Sequence, residues 1–148
     1  MKKMFFLFLI QHLSLILLPQ NAFFSHTADI GNPVIKGSTV YNDAVESWVL
    51  KGSGYNIWFG RDEFHYAFKK IKGDFILTAE FQFVGEGKNA HRKTGWMVRT
   101  DESDNAPHIS AVLHGDGLTV MQWRLLKGAF MRDPEDEIFA PKSNYSII

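Results

Sequence analysis

The chain contains no cysteine. That excludes disulfides, a thiolate nucleophile, a cysteine zinc site and a lipid-modified N-terminal cysteine. It also lacks any excess of charge, since sixteen Lys and Arg balance sixteen Asp and Glu. Basic residues cluster only as pairs such as Lys69-Lys70 and Arg92-Lys93, whereas phosphate binding needs a concentrated positive field. Nucleic acid is therefore not an expected partner. No Gly-x-Ser-x-Gly elbow is present to carry a serine nucleophile. No two histidines stand at a ligating spacing: His108 and His114 are about 20 Å apart along one extended strand at ~3.3 Å per residue. The acidic stretch "RDPEDE", Arg132 to Glu137, lacks the spaced oxygen donors of a dedicated calcium loop. No metal, cofactor or catalytic residue is expected.

What is present begins with the N-terminus. "MKKMFFLFLIQHLSLILLPQNAFFS" opens on Lys2-Lys3, continues through an apolar run from Met4 to Leu18 and reaches Pro19. That is the build of a secretory signal peptide, and the run is short for a membrane span of roughly 20 residues. Residues 1–28 are assigned to it, with cleavage after Ala22, Ser25 or Ala28. Export to a bacterial periplasm is the expectation, with membrane contact through this segment alone. Residues 29–148 then form one domain. At 45% hydrophobic and 22% charged, the chain has the composition of a globular fold rather than a disordered one.

Alternation with period two runs through this domain, and no helical stripe is found after the signal. Val34 to Tyr41 and Ser47 to Lys51 read as a hairpin about Asn42-Asp43. "EFHYAFKK" is strand-like, and "FILTAEFQF", Phe75 to Phe83, alternates most clearly. "GWMVR" is a further strand. Pro107 to His114 and Leu118 to Arg124 form a hairpin closed by Gly115-Asp116-Gly117, and Tyr145 begins a last strand. The expected class is all-β, an antiparallel sandwich. The chain ends inside that fresh strand, so it is expected to be truncated at its C-terminus and to form the front of a longer protein.

Strand parity sorts the side chains onto two faces. Phe75, Leu77, Phe81, Ile109, Leu113, Met121 and Trp123 fall to the expected core, with Trp96 and Val98. His65, Glu80, Arg99, His108, His114, Gln122 and Arg124 fall to the other face. An antiparallel sheet ordinarily keeps one face wet. This one, however, is rich in His, Gln and Arg, which make directional hydrogen bonds to hydroxyls and carboxylates. His65, Glu80, Arg99, His114, Gln122 and Arg124 are therefore the candidate binding residues, with Arg99 paired to Glu80. Trp58, beside Tyr55 near a loop, is the candidate platform for a sugar ring. Glu63 and Glu80 are a candidate carboxylate pair for glycoside hydrolysis, which needs a separation of roughly 5 to 10 Å.

"RDEFHYAFKKIKGDFILTAEFQFVGEG", "KTGWMVR" and "HISAVLHGDGLTVMQWR" together resemble the concanavalin A-like (laminin-G-like) sandwich of the glucanase-regulator type. The pattern is carried by Phe64 and Tyr66, Gly73-Asp74-Phe75, and the Gly-x-Met-x-Arg of Gly95, Met97 and Arg99. With "GSGYNIWF" and "GAFMRDPEDEIFAPK", the chain is similar to the N-terminal part of exported bacterial TolB-like proteins, from about Gly31 to the end. The resemblance implies a cell-envelope module associated with biopolymer transport, preceding a β-propeller. It would be non-catalytic and would bind a glycan or an envelope protein. The alternatives are a glycan-active hydrolase of the same fold and a purely structural module packed on the propeller.

Overall fold

The computed structural model describes residues 23–132, together with the backbone of the strands at 138–139 and 145–147. The expected signal segment up to residue 22 and the acidic residues 133–137 lie outside the described residues. Among the described residues there is no helix, and hence none long and apolar enough to cross a membrane. Every strand pair is antiparallel. The strands are β1 (His26–Ile30), β2 (Ser38–Asn42), β3 (Ser47–Lys51), β4 (Phe64–Phe68), β5 (Ala79–Phe81), β6 (Lys93–Arg99), β7 (His108–His114), β8 (Leu118–Arg124), β9 (Ile138–Phe139) and β10 (Tyr145–Ile147). They form a four-stranded sheet in the order β6-β7-β8-β9 and three ribbons, β1-β4, β2-β3 and β5-β10.

Turn chemistry fixes the hairpins. Between β7 and β8, Asp116 Oδ1 accepts a hydrogen bond from the Leu118 amide at 3.1 Å. Gly117 there takes φ 99°, a region a side chain disfavours. Between β2 and β3, Asn42 Oδ1 accepts from the Ala44 amide in the same manner.

β1 overlaps the expected signal. It pairs with β4 along its whole length, from His26 opposite Phe68 to Ile30 opposite Phe64. Residues 26–28, within the expected signal, are thus paired in the fold. β5 is shorter than the alternation of Phe75 to Phe83 predicts. Only Ala79–Phe81 is laddered, because β10 offers just Tyr145–Ile147 as its partner. Alternation marks a segment able to form a strand, whereas the partner sets how much of it does.

The two faces of the main sheet are reversed relative to the parity expectation. The residues expected inside are largely outside: Ile109 is 43% exposed, Met121 50% and Phe75 45%. Val98 is exposed as well, Leu77, Phe81, Trp96 and Trp123 are half-buried, and Leu113 alone of the expected core is fully buried. The buried face carries His108, Ser110, Val112 and His114 from β7 and Leu118, Val120, Gln122 and Arg124 from β8. Its apolar centre is Val112, Leu118 and Val120.

Within the main sheet the strands approach closely at one residue of this face. Gly95 lies on it at φ 155°, and a Cβ there would stand 2.9 Å from the Val112 Cα and collide with the Ala111 carbonyl. Opposite the sheet, Tyr66 of β4 donates its hydroxyl to the Met97 carbonyl at 2.8 Å. The loop from Gly54 to Glu63 is held by two further bonds, Asp62 N to Asp104 O at 2.6 Å and Met131 N to Trp58 O at 3.0 Å. That loop delivers Asp62, Trp58 and Asn56 to the buried face.

Candidate functional site

The register of β6, β7 and β8 lays the buried face out in rows. Arg99 lies opposite His108, and His108 opposite Arg124. Met97, Ser110 and Gln122 form the next row, then Gly95, Val112 and Val120. At the hairpin end Lys93 lies opposite His114. The two ends of this face have different chemistry.

At the first end a buried carboxylate organises three cationic or potentially cationic groups. Asp62 receives a two-pronged bond from Arg124, Nη1 to Oδ2 at 2.8 Å and Nη2 to Oδ1 at 2.7 Å. The remaining guanidinium donors of Arg124 go to the carbonyls of Ala129, Ala106 and Phe59. Every donor of the fork is used within the fold, so none is left for a ligand. Arg99 Nη1 stands 3.6 Å from Asp62 Oδ2, with only 2% of its side chain exposed. The rest of Arg99 bonds the Asp101 and Ser103 carbonyls and lies over the Phe64 ring. Burial lowers its pKa, against the pull of Asp62.

His108 completes this cluster. Its Nδ1 donates to the Ala106 carbonyl at 3.2 Å. Burial holds its pKa below the ordinary histidine value, with Asp62 opposing and the two guanidiniums adding to the effect. It is thus neutral near pH 7. The cluster is a structural clamp, and the expected partner of Arg99 is corrected: it is Asp62, not Glu80. Glu80 is exposed on the separate β5-β10 ribbon.

His65 also has a structural role. Its Nδ1 lies 2.9 Å from Asp29 Oδ1 and its Nε2 2.8 Å from Thr39 Oγ1, which ties β1, β2 and β4 together. Asp29 further accepts from the Gly37 amide. The bond from His65 holds the Asp29 carboxyl below its usual range, partly offset by desolvation.

At the hairpin end the sheet and the Gly54–Glu63 loop enclose a cavity of about 250 Å³. Asn56 and Trp58 line it from the loop, Lys93, His114, Leu118 and Gln122 from the sheet, and His91 from the turn before β6. Lys93 Nζ donates to Asn56 Oδ1 at 2.9 Å. Both ring nitrogens of His114 and Oε1 of Gln122 are buried without a hydrogen-bond partner among the described residues, as are Trp96 Nε1, His108 Nε2 and Thr119 Oγ1 elsewhere. Desolvation first, then Lys93 and His91, lower the His114 pKa to about 4 while Asp116 opposes. The ring is therefore neutral near pH 7 and offers one donor and one acceptor. Trp58 also lines a second hollow of about 440 Å³ with Trp123, Phe130 and Met131.

Of the residues singled out in the sequence, the cavity brings together Trp58, His114 and Gln122, and it leaves out His65, Glu80, Arg99 and Arg124. Asn56, His91, Lys93 and Asp62 were not anticipated. Lys93 was legible in principle, because it shares the parity of Gly95, Met97 and Arg99. Asp62 carries no such signal, since it enters from a loop. No protein-family model matches the chain, and neither the curated proteins nor the solved structures contain a match to it.

Proposed function

We propose that the chain is a non-catalytic, saccharide-binding β-sandwich module, exported to the bacterial envelope at the front of a TolB-like protein. The observation that carries the binding reading is the cavity beside Trp58. There His114 and Gln122 line a half-open hollow and carry buried polar atoms that have no partner among the described residues. An indole face beside directional hydrogen-bond groups suits a pyranose ring, which has an apolar C–H face and a rim of hydroxyls. Hydrolysis is less well supported, as neither Glu63 nor Glu80 lines the cavity. Glu63 instead accepts from the Tyr55 amide at 2.9 Å.

The sandwich reading draws support from the outer face of the main sheet. Trp96, Val98, Ile109, Met121 and Trp123 make that face apolar, and Phe81 of β5 meets Trp96 edge to face at 5.9 Å. A second layer over this face is what a sandwich supplies. Export and the TolB-like context are supported by the N-terminal segment and by the Gly95, Met97 and Arg99 motif. Calorimetric titration of the purified domain with a panel of neutral and acidic oligosaccharides tests the binding reading. At least one ligand should bind, and Trp58→Ala should weaken it by about tenfold or more, or ~1.4 kcal/mol. A panel with no binding at millimolar ligand would overturn it.

A further inference from the structure

Resting on the saccharide reading, we infer that the cavity selects an acidic sugar, whose carboxylate completes the site against Lys93. Among the described residues Lys93 has no carboxylate partner, and its ammonium is held only by the amide oxygen of Asn56. Among the described residues none lining the cavity is acidic, while His91 and His114 bring imidazoles to the same wall. A buried cation is costly unless an anion compensates it. At the other end of the same face Arg124 has such a partner, Asp62 at 2.7 Å. At the Lys93 end the corresponding anion is supplied by the ligand. The depressed Lys93 pKa, caused by burial, agrees with a site that lacks its counter-charge.

The carboxylate belongs to a sugar rather than to a peptide because Trp58 offers a flat apolar wall. His114 and Gln122 line the same cavity, and their buried ring nitrogens and Oε1 have no partner among the described residues. The site thus takes a hexuronate or a similarly acidic pyranose.

The test compares β-1,4-linked triglucuronate with cellotriose, which differ only in oxidation at C6, by calorimetry on the wild-type domain and on Lys93→Gln. Triglucuronate should bind at least about tenfold tighter to the wild type, and Lys93→Gln should erase the difference while leaving residual binding of both. Equal or tighter binding of cellotriose overturns the acidic selection but keeps the saccharide reading. Failure of both trisaccharides to bind overturns both. Hexaglycine with a free C-terminal carboxylate, if it binds as tightly as triglucuronate, overturns the sugar as the source of the acid. The wild-type comparison stands even if the variant folds poorly.

Discussion

Arg124 and Asp62 form a two-pronged ion pair with both side chains fully buried, the guanidinium from β8 and the carboxylate from the loop before β4. This pair joins the loop that carries Trp58 and Asn56 to the sheet that carries Lys93, His114 and Gln122. It therefore connects folding to the cavity without touching a ligand.

Removing one partner strands the other charge in the interior. Arg124→Ala should destabilise the domain by about 3–5 kcal/mol, as should Asp62→Ala. Replacing both by apolar residues, as in Asp62→Leu with Arg124→Met, should cost less than the sum of the single changes. Urea denaturation of the three variants measures this directly, and additive effects would argue against a coupled pair.

Arg99→Ala should also destabilise, by about 2–4 kcal/mol, because a buried hydrogen-bonded group is lost. Thermal unfolding followed by circular dichroism reports it. A variant as stable as the wild type would mean that Arg99 is peripheral to the clamp.

Backbone crowding gives a third test. Gly95→Ala should destabilise by about 2 kcal/mol or more, since its Cβ would press on the Val112 backbone. The neighbouring exposed substitution Val98→Thr, on the opposite face, should stay within about 0.5 kcal/mol.

Stability should fall as the solution is acidified. His114 has a folded pKa of about 4 against an ordinary value of 6.5, and burial also lowers that of His108. In that window the unfolded chain binds more protons, so the contribution of the neutral rings is complete above about pH 6.5 and is lost as pH falls toward 4. The loss from His114 should be on the order of 2 kcal/mol. Denaturation midpoints at pH 7.5 and 4.5 check it, and His114→Gln should flatten the slope.

The proposed export and its signal boundary can be tested by mass spectrometry of the protein recovered from the envelope. Cleavage after Ala22 or Ser25 leaves β1 whole, whereas cleavage after Ala28 would remove His26, Thr27 and Ala28 and their pairing with β4. The mature chain should begin at Phe23 or His26. A chain beginning at Asp29 would show that this pairing is dispensable.

Much of the strand pattern was legible in the sequence, because period-two alternation and turn residues such as Asp116 and Asn42 act locally. Parity also grouped His108, Ser110, Gln122 and Arg124 correctly onto one face. Which face is buried was not legible, since that depends on what arrives from elsewhere. Asp62 pairs with Arg124 and Arg99 from a distant loop, and a polar set that looks solvated becomes an interior one. Gly95, a glycine inside a strand, marks a close approach to the neighbouring strand β7 rather than the buried face. The exposed placement of Met121 and Ile109 follows from the same reversal.

The most direct test of the binding role is nitrogen–proton NMR of the side chains during saccharide titration. With triglucuronate added to the folded domain, the Trp58 indole and His114 imidazole signals should shift together and saturate with one affinity. The Arg99 and Arg124 Nε signals should stay in place, held by the clamp around Asp62. Shifts confined to Arg99, Arg124 or residues of the outer face, with Trp58 and His114 unmoved at saturation, would contradict a saccharide site in this cavity.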